Sequence, residues 1–104
     1  MIPAYRKNER SRVVELMDAE PCGYEEFAAC LRDIARINAA TNAHAPTIAW
    51  LAALARTRNG NGRPLRVLDV GCGYGDTLRA IARDAARREI PLELVGIDIN
   101  PWAK

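Results

Sequence analysis

Apolar and polar residues follow two different rhythms along the chain. Through residues 8–58 apolar side chains recur every three or four positions among Ala, Leu, Arg and Glu, which predicts helices. Val13, Leu16 and Met17 mark a short first helix, broken at Pro21 and Gly23. In the longer helix that follows, Phe27, Cys30, Leu31, Ile34 and Ile37 share one face opposite Arg32, Asp33 and Arg36, the pattern of a core-packing stripe. A third helix starts near Pro46, a residue suited to a first helical turn, buries Ile48, Leu51, Leu54 and Ala55, and ends near Arg58.

The rhythm changes at residues 59–64, NGNGRP, where turn formers are too dense for a helix. Residues 65–70 then form a short apolar run rich in branched side chains, read as a buried parallel strand. Residues 71–75 are a glycine loop. Residues 76–89 return to helical spacing with Leu78, Ile81, Ala82 and Ala85 on one face, and residues 92–98 are a second buried strand. A short helix between two apolar strands implies a right-handed parallel crossover, with the glycine loop at the carboxyl end of the first strand. Open α/β sheets bind ligands at that edge. The expected architecture is α/β: a helical segment over residues 1–58, a turn at 59–64, and a strand–helix–strand unit over 65–104.

With 104 residues there is room for one modest core and no second domain. No apolar run is long enough to cross a bilayer, and the charged opening MIPAYRKNERSRVVELMD has no signal-peptide core, so a cytoplasmic location is expected. A formal net charge of +2 gives no electrostatic ground for a nucleic-acid partner. Cys22, Cys30 and Cys72 are odd in number and match no zinc or redox spacing, so reduced thiols and no metal are expected.

The chemistry concentrates in VLDVGCGYGD and the acid of LVGIDINP. Gly71, Gly73 and Gly75 stand at alternate positions, where the missing Cβ lets the backbone turn sharply and a flat ligand lie close. The spacing is GxGxG. A dinucleotide fingerprint, GxGxxG, would need glycine where Asp76 stands, at a helix N-terminus that should receive a pyrophosphate. An anionic side chain there opposes a dianionic ligand and suits a cationic one, as do the nearby carboxylates Asp69 and Asp98. Asp98 closes the second strand, in the same crevice as the loop, where a carboxylate can accept both hydroxyls of a ribose.

VLDVGCGYGD followed by LVGIDINPWA resembles the first two motifs of the class I, Rossmann-like, S-adenosylmethionine-dependent methyltransferases. The resemblance covers residues 65–104. It implies S-adenosylmethionine as cofactor, with Asp69 near its methionine part and the loop Gly71, Cys72, Gly73, Tyr74 and Gly75 passing beneath. It also implies Asp98 on the ribose and Ile99 against the adenine. The helical front half is similar to the N-terminal helices that cover the site in some small-molecule methyltransferases, which implies a cap or lid and a small-molecule methyl acceptor. Family members continue with further strand and helix units that bring most substrate contacts. The chain is therefore expected to be an incomplete domain, or one that relies on a partner, a second copy or a missing C-terminal portion.

Cys72 suits the filling of a tight turn better than nucleophilic chemistry. His44, the only histidine, reads as a cap or surface residue, with a general base near the cofactor as the alternative. Tyr5, Tyr24 and Trp50 read as core or as pocket lining, and Arg6, Lys7, Arg10 and Arg12 as a solvated helix face. A non-catalytic, partner-dependent module is the main functional alternative. A nicotinamide-dependent oxidoreductase fragment is disfavoured by the GxGxG spacing and Asp76.

Overall fold

The structure is a computed structural model that describes residues 8–14, 23–58 and 62–103. The expectations for Tyr5, Arg6, Lys7, Leu16, Met17, Pro21, Cys22 and the first half of the NGNGRP turn fall outside those residues.

Helix α1 spans Tyr24–Ala40 and α2 spans Ala45–Arg58. Glu25 and Glu26 sit in the first turn of α1, where carboxylates favour the positive end of the helix dipole. The helix stops in a Schellman arrangement. Asn42 takes the left-handed conformation (φ 53°), its N–H donates to Ala39 O, and the Ala43 N–H donates to Asn38 O at 2.9 Å. Asparagine tolerates this backbone better than most residues. The turn is so short that α2 starts at once, with the His44 carbonyl accepting the Ile48 N–H at 3.0 Å.

Strand β1 (Leu65–Val70), helix α3 (Asp76–Arg87) and strand β2 (Leu92–Ile97) follow as a strand–helix–strand unit. The strands pair in parallel, from Leu65 opposite Leu92 to Val70 opposite Ile97. The α/β class is as expected, and each strand, helix and loop of this unit falls within two residues of its expected bounds.

Burial departs from expectation in four places. Residues 10–14 are exposed and non-helical, so Val13 starts no helix and Arg10 and Arg12 lie on no helix face. On α1 the stripe is covered only at its front: Phe27 is buried, while Ile34 and Ile37 are exposed. On α3 the buried set is Ile81, Asp84 and Ala85, and Ala82 is exposed. Asp84 can take an interior position because Arg88 Nε donates to it at 2.7 Å and Arg87 at 3.3 Å. The strands are half covered rather than buried. Leu65 and Val67, with Leu92 and Leu94, face the helical side; Leu68, Val70, Val95 and Ile97 are 57%, 73%, 45% and 49% exposed. Arg66 and Glu93, directly opposite in register, form an ion pair at 3.1 Å on that open face.

The core lies where α2, α3 and the start of β2 meet, around Leu51, Ala52, Ala55, Ile81 and Ala85. Helix α1 lies outside this core, and its contacts with the rest of the fold include Leu31 near Gly73, Asn38 on Asp76 and Phe27 against Trp102. The radius of gyration, 17.2 Å, exceeds the roughly 13 Å of a compact domain of this length. No helix among the described residues is long and apolar enough to cross a membrane.

Candidate functional site

The glycine loop leaves β1 at its carboxyl end and feeds directly into α3. Gly71, Gly73 and Gly75 have φ of 79°, 51° and 71°, a left-handed run that side chains with a Cβ resist. The loop is tied to β2 from below: the Gly71 and Cys72 N–H groups both donate to Ile97 O, at 2.7 and 3.0 Å. The Gly75 N–H donates to Cys72 O at 2.8 Å, which closes the turn before the helix.

Asp98 joins the two halves of the expected site. One carboxylate oxygen accepts the Gly73 N–H at 2.8 Å and the other accepts the Asn100 N–H at 2.8 Å. Both motifs therefore meet at the carboxyl edge of the sheet. Each carboxylate oxygen has a further lone pair, so these bonds leave acceptor capacity for a ligand hydroxyl.

The remaining expected residues take different stations. Asp69 lies on the helix-facing side of β1, opposite Gly96 in register and two residues before the loop. Tyr74 is 37% exposed, with the Arg79 guanidinium 4.3 Å from its ring centroid, a cation–π contact. Ile99 is 96% exposed beside Asp98, open to any ligand at that edge. Cys72 points downward: a Cβ placed on Gly96 would lie 2.8 Å from its Sγ. Its amide and carbonyl are both hydrogen-bonded inside the protein and its Sγ packs against Gly96, so it is a structural member of the loop. A methyl group placed on Gly71 would meet nothing within 4 Å, whereas one on Gly73 would lie 3.5 Å from Leu31 Cδ2 of α1. The backbone is thus open at Gly71 and roofed at Gly73.

A polar cluster beside the loop was not foreseen. Asn38 Nδ2 donates to Asp76 Oδ2 at 3.0 Å, and His44 Nε2 lies 3.1 Å from the same oxygen. His44 Nδ1 is 3.3 Å from the Thr77 hydroxyl. With the proton on Nε2 the ring donates to Asp76 and accepts from Thr77; with both nitrogens protonated it donates twice. Burial alone would raise the Asp76 carboxyl. It is outweighed by the Asn38 hydrogen bond, the charge of His44, Asp76's own backbone N–H and the His44 hydrogen bond, which hold the group below its ordinary value. Asp76 thus faces the α1–α2 turn, and its charge is shared with His44. His44 does stand at a helix start, as a cap would, yet its ring is mostly covered and reaches a different helix.

Trp102, just past β2, sets its ring edge-on to Tyr24 and Phe27, with centroids 6.1 and 6.0 Å away. Tyr24 thereby links α1 to the segment after β2, while Trp50 is 63% exposed and is not a core residue. The cavity between α2 and α3 measures about 10 Å³, room for one water at most, and is no ligand site.

No protein-family model matches the chain, and searches of curated proteins and of solved structures return no match.

Proposed function

We propose that the chain binds S-adenosylmethionine, as the cofactor-binding part of a class I, Rossmann-like methyltransferase acting on a small-molecule acceptor. The observation that carries this reading is the 2.8 Å bond from the Gly73 N–H to Asp98, which brings the glycine loop and the acid after β2 together at one edge of the sheet. The loop chemistry supports a cofactor without phosphate. A pyrophosphate site offers free backbone N–H groups to the anion. Here the N–H groups of Gly71, Cys72, Gly73 and Gly75 are all spent on protein acceptors, one of them a carboxylate.

The residues present fit such a cofactor. The open space over Gly71 admits a ligand against the backbone, and Asp98 would accept the ribose hydroxyls with its remaining lone pairs. Tyr74 in the loop and Ile99 beside Asp98 offer exposed apolar surface. When bound, S-adenosylmethionine supplies an activated methyl group on a sulfonium. The protein's part is then to orient the cofactor and keep its surroundings dry and negative, which needs no acid–base residue at the loop.

The open sheet face favours a second reading, a module that works through a partner. Leu68, Val70, Val95 and Ile97 form a contiguous apolar surface of the kind that marks interaction sites.

Isothermal titration with S-adenosylmethionine, S-adenosylhomocysteine and NADH tests the first reading. Binding of the first two and not of NADH is expected. Preference for NADH would replace it with a nicotinamide-binding fragment, and heat from none of the three would leave the partner-dependent module.

A further inference from the structure

Parallel pairing sets the side chains of β1 and β2 in cross-strand rows, and three rows share the open face: Arg66 with Glu93, Leu68 with Val95, and Val70 with Ile97. The face thus carries one charged row at the start of the strands and two apolar rows toward the carboxyl edge. We propose that this face is a homodimer interface, on which a second copy packs sheet to sheet about a twofold axis running along the strands. A second copy is then the partner that the second reading above calls for, and no step depends on the cofactor.

The charge pattern selects both the occupant and the axis. A twofold along the strands lays β1 of one copy over β2 of the other, so that each row faces the same row of its partner, reversed. Arg66 meets the partner's Glu93 and Glu93 meets the partner's Arg66. Leu68 meets the partner's Val95, and Val70 the partner's Ile97. A twofold across the strands would instead press the charged row onto the Val70–Ile97 row and desolvate its charges against apolar surface. Pairing of strand edges would leave both apolar rows in water.

Within one chain Arg66 Nε pairs with Glu93 Oε2 at 3.1 Å, and both side chains are more than half exposed. A lone exposed pair contributes little. The guanidinium carries five N–H donors and the carboxylate about four acceptor positions, so one such pair leaves capacity on both groups. In the dimer two pairs close into a ring of four charges of alternating sign. Sheets stacked in this way lie about 10 Å apart and cross by about 30°. The three rows run for about 13 Å along two strands, a strip well below the roughly 800 Å² per partner of a standard interface, so association depends on concentration.

Sedimentation velocity on the cofactor-free protein, diluted from about 1 mM to about 1 μM, tests the interface. The parent should pass from dimer to monomer. Arg66→Glu sets like charges across the interface, as does Glu93→Arg, and each alone should raise the dissociation constant at least about tenfold. An equimolar mixture of the two variants should associate again at parental strength, because every charge then faces its opposite across the interface although neither chain keeps its internal pair. Leu68→Lys leaves the pair intact and should abolish association; it decides the matter if either charge variant fails to fold by circular dichroism. A parent that stays monomeric throughout overturns the proposal and gives the face to a different partner. So does a dimer unchanged in all three variants, or one lost in both charge variants and not regained on mixing. Calorimetry with S-adenosylhomocysteine is read separately, so the cofactor reading stands or falls on its own.

Discussion

Gly96 is the position where one methyl group should matter most. It lies within β2, and an ideal Cβ there falls 2.7 Å from Leu78 Cδ1, 2.8 Å from Cys72 Sγ and 3.0 Å from Cys72 Cβ. Carbon atoms pack best at about 3.5–4.0 Å, so each neighbour must retreat by roughly 1 Å. Leu78 can rotate its methyl away. The Cys72 Cβ cannot retreat, because its N–H is fixed to Ile97 O and its carbonyl to the Gly75 N–H. The strain therefore reaches the strand or the glycine loop. Overpacking of this kind costs about 1–3 kcal/mol, offset by about 0.4–1 kcal/mol from the stiffer unfolded chain. Gly96→Ala should thus lose about 1–2 kcal/mol in urea denaturation at unchanged m. Adding Leu78→Ala should recover part of that loss, so that the pair costs less than the sum of the single changes. A Gly96→Ala protein as stable as the parent would refute the packing described between β2, the loop and α3.

Three further outcomes follow from the same geometry. Glu89 ends α3 with φ 54°, so Glu89→Gly should stabilise by about 1 kcal/mol, read as a raised melting temperature; a lowered one would contradict that backbone. Asp98→Ala should weaken S-adenosylhomocysteine binding roughly ten- to a hundredfold by calorimetry. It should also cost about 1–2 kcal/mol of stability through the lost Gly73 and Asn100 bonds, a loss that a purely ligand-facing carboxylate would not produce. Asp76 has a depressed folded-state value against 3.8 as reference, so its contribution is present above about pH 4 and lost as the pH falls further. Asp76→Asn should therefore flatten the acid limb of a stability–pH curve and lower the plateau above it, and an unchanged limb would count against the network.

The strand–helix–strand unit was legible because its signals are local: branched apolar runs, a glycine loop, and a helical repeat between them. The meeting of Asp98 with the loop was legible too, since parallel pairing fixes where the end of β2 must lie. What the sequence hid depended on tertiary placement. The stripe Phe27 to Ile37 announces a helix face but not how much of it finds a partner. Apolar strands read equally well as covered on one side or on two. Asp84 looks like a surface residue until Arg87 and Arg88 are seen to satisfy it. His44 and Asn38 lie more than thirty positions from Asp76, and no spacing rule connects them. Gly96 did leave a trace, since a glycine inside a strand signals a close approach, here that of Cys72.

The alternation along the two strands also has a meaning for sequence tolerance. If the open face stays in water, saturation mutagenesis scored for abundance should show a period of two: Val67 and Leu94 intolerant, with Leu68, Val70, Val95 and Ile97 accepting Thr, Lys or Glu. Scoring the same library for activity inside the cell reads the other side of the sheet. Positions permissive for abundance but restrictive for activity would outline, residue by residue, the footprint of whatever rests on that face when the protein works.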